Sequence, residues 1–171
     1  MRQDPISRIL ECARQLAAEQ CADVAPLEPM LHLHGRHGEA VLRLDFTDPA
    51  ALARLQDKAR LMATAVSAEA SACAFESRLE LPRGASLPVV AVIAGSGALG
   101  VVRLYLRARA GSGAVLRPLA GGLVGPRLPG TLAGLLDRLL PGEPSDLEIA
   151  QAWRRLEAMG TNVQRSGRPL H

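Results

Sequence analysis

Three of the four histidines of this chain crowd into one short stretch, at His32, His34 and His37. Two residues apart on a strand, His32 and His34 project to the same face, and His37 from an adjoining turn offers a third imidazole. Imidazole nitrogens suit zinc or iron, so this is the spacing of a facial divalent-metal site. A further ligand would come from Cys21, Glu28 or Glu39. The plainer alternative is a strand edge facing solvent, with histidines that titrate near neutrality. His-x-His has little of the specificity of paired CxxC motifs. A metal-binding protein or metal-dependent enzyme therefore stands as one alternative, with a divalent metal as the one cofactor implied.

Gly95-Ser-Gly-Ala-Leu-Gly100 matches the G-x-G-x-x-G pattern and follows an apolar run. A dinucleotide site needs a helix after the glycines, so that the pyrophosphate meets a helix N-terminus. Here Val101-Val-Arg-Leu-Tyr-Leu106 follows, with the period-two alternation of a strand. The acidic residue that would hold the ribose is also missing, because Leu81 to Leu136 contains no Asp or Glu. A glycine hairpin turn is the better reading.

That acid-free stretch is 56 residues long and holds six arginines and 11 of the 16 glycines. Arg103, Tyr105, Arg107 and Arg109 alternate along one strand face, where guanidinium forks match phosphate, a nucleic-acid backbone or an acidic partner. Cross-strand pairing with Glu76 and Glu80 is the competing reading. Nucleic acid is not favoured, since Tyr105 is the one aromatic available for base stacking there.

No catalytic residue is nominated. The chain has no GxSxG elbow, HExxH, Walker A loop or kinase signature. Cys12, Cys21 and Cys73 lack CxxC spacing, and Cys73 alternates with Phe75 on an apolar face, as a buried inert thiol would.

Helices and strands must position these groups. Asp4-Pro5 and Asp48-Pro49 are cap-plus-proline signals. The first opens a helix to about Gln20. The second opens one to Ala70, in which Leu52, Leu55, Ala59, Met62 and Val66 form an apolar stripe. Leu31 to His34 and Leu42 to Phe46 read as a hairpin, Cys73 to Leu81 as a third strand, Val89 to Ala94 as a central strand. Val101 to Arg107 and a short edge strand at Ala114 to Leu116 follow. Ala120 to Gly130 is a Gly/Pro loop, and Thr131 to Leu140 a short helix. Ser145-Asp-Leu-Glu148 is a capping box, opening a helix whose Ile149, Ala152, Trp153, Leu156 and Met159 read as core.

The fold class this predicts is α+β: one antiparallel sheet of about 4–6 strands with helices mainly on one face, the other face meeting water or a partner. Residues 1–160 form a single domain, with 161–171 as a flexible tail. The charge is +3 and 22% of residues are charged, short of a nucleic-acid binder's basic density. The basic residues are 19 Arg and one Lys, a composition of GC-rich, bacterial genomes. The absence of an apolar leader or of about 20 apolar residues in a row points to the cytoplasm. The function expected is a non-enzymatic bacterial cytoplasmic binding or accessory module, homo-oligomeric or bound to a protein partner or small ligand, with no membrane association. The alternatives are the metal site at His32, His34 and His37, and anion binding through Arg103, Arg107 and Arg109.

Overall fold

The computed structural model describes residues 5–22, 26–44, 49–96, 99–110, 113–119 and 139–161. In chain order these form α1 (Pro5–Ala22), β1 (Met30–Gly35), β2 (Gly38–Arg43), α2 (Pro49–Ala65), β3 (Ala68–Glu80), β4 (Ser86–Ser96), β5 (Leu99–Ala110), β6 (Gly113–Pro118) and α3 (Asp146–Ala158). The six strands make one antiparallel sheet in the order β2-β1-β3-β4-β5-β6. This is the α+β single-sheet architecture that the alternating patterns predict. At the glycine motif β4 and β5 pair antiparallel, Gly95 opposite Gly100 and Ser96 opposite Leu99, with residues 97–98 outside the described residues.

Side chains alternate across the sheet, so the strands β3, β4 and β5 feed two cores. On one face Leu31, Leu33, Leu42, Cys73 and Ile93 pack against Ala59, Met62 and Ala63 of α2 and Ala152 and Leu156 of α3. Burying a leucine such as Leu31 or Leu33 completely stabilises the fold by about 2 kcal/mol. On the other face α1 lays Ile6, Ile9, Leu10, Ala13 and Ala17 over Ala70, Ala72, Ala74, Val90, Val92 and Ala94. Alanine meets alanine here, so the helix backbone can approach the sheet closely. The sheet curls far enough that Leu116 of β6 also lies under α1. Two helices thus share one face, as expected, while α1 covers the face that the sequence left to water or a partner. Glu76, Arg78 and Glu80 stay exposed where β3 runs out beyond α1.

Two details depart from the sequence reading. The second helix stops at Ala65, and Ala68–Ala70 belongs to β3. Ser67, at φ 48, breaks the helix; Ala70 is recruited to the floor beneath α1, and Ala68 packs in the core on the other face. Met159 is no core residue: it stands at the C-cap of α3, 53% exposed. Trp153 is half-buried against the α2–α3 core. The caps Asp4 and Asp48, the loop from 120, the helix start at 131 and the tail from 162 lie outside the described residues.

The capping box is present. The Ser145 hydroxyl accepts the Glu148 N–H at 3.3 Å, and the Glu148 carboxylate accepts the Ser145 N–H at 2.8 Å. The Ser145 N–H and the Ser145 hydroxyl, which donates to Glu148 Oε2 at 2.7 Å, hold the Glu148 carboxyl below its ordinary pKa. Ser145→Ala is expected to cost about 1 kcal/mol, a drop of roughly 3 °C in a thermal melt. An unchanged melting temperature would show that the box contributes nothing to α3.

The β1–β2 turn is tied to the turn that leads out of α2. His37 N–H donates to the Val66 carbonyl at 3.0 Å and Arg36 N–H to the Ser67 carbonyl at 3.3 Å. Gly35 lets the two backbones meet, because a Cβ there would overlap the Val66 carbonyl oxygen and lie 2.5 Å from that of Ser67.

Candidate functional site

With 3.6 residues per turn, the stripe Ile6–Cys21 of α1 faces the sheet and leaves two flanks. Glu11 and Arg14 lie on one flank; Arg8, Cys12, Gln15, Leu16 and Glu19 lie on the other. A cavity opens on each side.

The larger, about 590 Å³, lies between α1 and the β5–β6 end of the sheet. Its size is in the range of small-molecule sites. Val101, Leu116, Pro118 and Leu119 give it apolar walls, and Tyr105 lines it from a position only 3% exposed. Arg14 and Arg103 bring two guanidinium groups to it. Arg14 makes a two-pronged pair with Glu11, Nε to Oε2 at 2.8 Å and Nη2 to Oε1. The Arg14 hydrogen bond, with a smaller contribution from the Arg103 charge, holds the Glu11 carboxyl below its ordinary value. Arg103 and Tyr105 therefore meet in one cleft, as their alternation on β5 predicts.

Arg107 has a different task. Its guanidinium donates to Glu76 Oε1 at 3.2 Å and to the Cys21 carbonyl at 3.0 Å, while Glu76 also accepts the Leu27 N–H at 3.1 Å. The Cys21 carbonyl is one of the last in α1, which lack partners within the helix. Arg107 caps that end with a positive charge, where the helix dipole favours one. The cross-strand Arg–Glu pairing considered from the sequence is thus present at this position. Arg109 lies in β5, with its side chain outside the described residues.

The smaller cavity, about 190 Å³, lies between α1 and the β1–β2 hairpin. His32 and His34 both line it, together with Cys12 and Glu39. His34 Nδ1 lies 3.0 Å from Glu39 Oε1, and Arg8 approaches the same oxygen at 3.4 Å. His32 is 4% exposed, and its Nε2 has no hydrogen-bond partner. Such an unpaired buried group costs about 1–3 kcal/mol. Burial pushes the His32 pKa down to about 4, against a weaker upward pull from Glu39. His37 is placed in the hairpin turn by its own backbone bond. Among the described residues, no group of three or more His, Cys, Asp and Glu side chains is placed to hold a metal ion.

The thiols are not activated. Burial pushes Cys73 up to about 12, and desolvation also raises Cys12 and Cys21. Thiolate character is what a cysteine nucleophile requires. No helix among the described residues is long and apolar enough to cross a membrane.

No family model, curated protein or solved structure matches this chain. Sequence alone does not mark Glu11 and Arg14 as site residues, nor Cys12 as a cavity residue, because α1 is legible there only as an apolar stripe. Their signal is positional: they are the polar and small residues that border that stripe on each side.

Proposed function

We propose that this chain is a non-enzymatic binding module that takes a small organic anion in the cleft between α1 and β5–β6. The observation that carries this reading is Arg103 beside apolar walls in one cavity of about 590 Å³, where Arg14 already neutralises the carboxylate of the lining, Glu11. Guanidinium groups bind carboxylate and phosphate through paired hydrogen bonds. Val101, Leu116 and Pro118 would take the apolar body of the same ligand. Arg107 is occupied with Glu76 and the end of α1, which supports a compact ligand in preference to a long phosphate backbone tracked along the strand. The raised thiol pKa values and the unpartnered His32 support binding in preference to catalysis. The arginine-rich composition supports a bacterial source, and the free cysteines Cys12, Cys21 and Cys73 support a reducing, cytoplasmic setting.

Calorimetric titration with octanoate and with inorganic phosphate tests the reading. Octanoate is expected to bind, more weakly as salt rises, and Arg103→Ala to weaken it by about tenfold or more, the value of one charge-assisted hydrogen bond. Arg117→Ala, a change at an exposed arginine outside the cleft, is expected to leave affinity unchanged. Equal affinity in wild type and Arg103→Ala, or no binding of either anion, would remove the proposal.

A further inference from the structure

The two edges of the sheet are built differently. β6 lies under α1 and ends at Pro118, which has no N–H to offer a further strand. β2 pairs with β1 on one side, and among the described residues no strand pairs with its other side. Free edges are commonly guarded by proline, lysine or a bulge, and β2 has none of these.

The backbone of β2 has a fixed phase. The Leu44 N–H donates to the Pro29 carbonyl at 2.8 Å. Bonded residues alternate along an antiparallel pair, so Gly38, Ala40 and Leu42 turn their backbone groups to β1, while Glu39, Val41 and Arg43 turn theirs outward. The side chains of these three residues share one face and are exposed; Val41, a large apolar residue, is 47% exposed. The order Glu39, Val41, Arg43 is complementary to itself when reversed. The contact of Arg43 with Glu28 uses Nη1, and those of Glu39 with Arg8 and His34 use Oε1, which leaves Arg43 Nη2 and Glu39 Oε2 for another pair.

We propose that β2 is an interface with a second copy of this chain, the two β2 strands pairing antiparallel about a two-fold axis at Val41. Each Glu39 then stands opposite the second copy's Arg43, and the two Val41 side chains cover each other. The outward N–H and carbonyl groups of Glu39, Val41 and Arg43 bond across the axis, and the sheet runs on through both copies. Sliding by two residues keeps the backbone bonding but sets Val41 against Glu39 or Arg43, so the charges select this register. The anion cleft at β5–β6 lies at the other end of the strand order and shares no residue with β2.

Sedimentation velocity of the full-length chain over about 5–500 µM tests the proposal, with amide exchange followed by NMR at the same concentrations. Wild type is expected to pass from monomer to dimer, and the Val41 N–H to exchange about tenfold more slowly in the dimer. Val41→Lys, which sets two like charges at the axis, is expected to weaken dimerisation by about tenfold or more. Glu39→Arg alone and Arg43→Glu alone are expected to do the same. An equimolar mixture of those two variants is expected to dimerise again, since each copy then meets the opposite charge at both positions. A variant that merely damaged the fold would not recover on mixing. The proposal is overturned if wild type stays monomeric throughout, if Val41→Lys dimerises like wild type, or if the mixture behaves as its separate components. Protection of the Val41 N–H at every concentration would assign the edge to another segment of the same chain and overturn it too.

Discussion

Gly35→Ala is expected to lower the unfolding free energy by about 3 kcal/mol, because close overlap in a packed interior typically costs 1–3 kcal/mol and here the obstacle is backbone. For a chain of this size that is a fall of roughly 6–12 °C in melting temperature. The added methyl would meet the carbonyls of Val66 and Ser67, and those same carbonyls accept the His37 and Arg36 N–H groups. The clash therefore cannot be relieved without lengthening two hydrogen bonds. A flexible side chain could swing aside, but two turns locked to each other cannot. Gly84→Ala is the control. Gly84 has φ +78 with open space around its missing Cβ, so the substitution carries backbone strain alone, about 1 kcal/mol. Urea unfolding of the two variants separates close approach from strain. Equal losses would show that the turn-to-turn contact at Gly35 is not tight.

Acid is expected to weaken the fold through His32 by up to about 3 kcal/mol. In the unfolded chain this imidazole titrates at its ordinary value of 6.5, and in the fold it titrates at about 4. Above pH 6.5 it is neutral in both states and imposes no loss. Between 6.5 and 4 the unfolded chain takes up a proton that the folded chain refuses, so stability falls by about 1.4 kcal/mol per pH unit. Below 4 both forms are protonated and this contribution levels off. The carboxylates with lowered values, Glu11 and Glu148, act in the same direction but begin to do so near their ordinary value of 4.5, below most of the histidine window. Urea unfolding of His32→Phe at pH 7.5, 6.5, 5.5 and 4.5 checks this. The variant is expected to show a flatter profile from 6.5 to 4.5 than wild type. Parallel profiles would place the acid sensitivity elsewhere.

Much of the fold is legible in the sequence because strand alternation is a local signal. Leu31/Leu33, Leu42/Leu44 and Cys73/Phe75 point to one core as their spacing predicts, and Ser145 and Glu148 mark the start of α3 by themselves. The alanines of β3 mislead, since Ala70 is a good helix former until α1 is known to lie on it. The position of α1 is itself hidden, because nothing within residues 5–22 says which face of the sheet the stripe will cover. The candidate site is less legible for the same reason. Arg103 and Tyr105 share a face by period two, but Arg14 joins them only when α1 docks, and Arg107 leaves the group only because the end of α1 arrives beside it. The histidine cluster shows the limit of spacing: His32 and His34 share a cavity as strand neighbours should, while His37 is turned to a different task by its backbone.

The strand order has a kinetic meaning. Every neighbour in the sheet is also a neighbour in sequence, except that β3 pairs with β1 across β2 and α2. The meander from β3 to β6 can therefore zip up by successive short closures, each with a small loop entropy. The β1–β3 joint alone requires a long loop to close. The Gly35 contact sits at the end of that joint, where the ladder register shifts between His34 and Gly35. It is thus one fastening between the β1–β2 hairpin and the rest of the sheet, beside the β1–β3 ladder and the core they share.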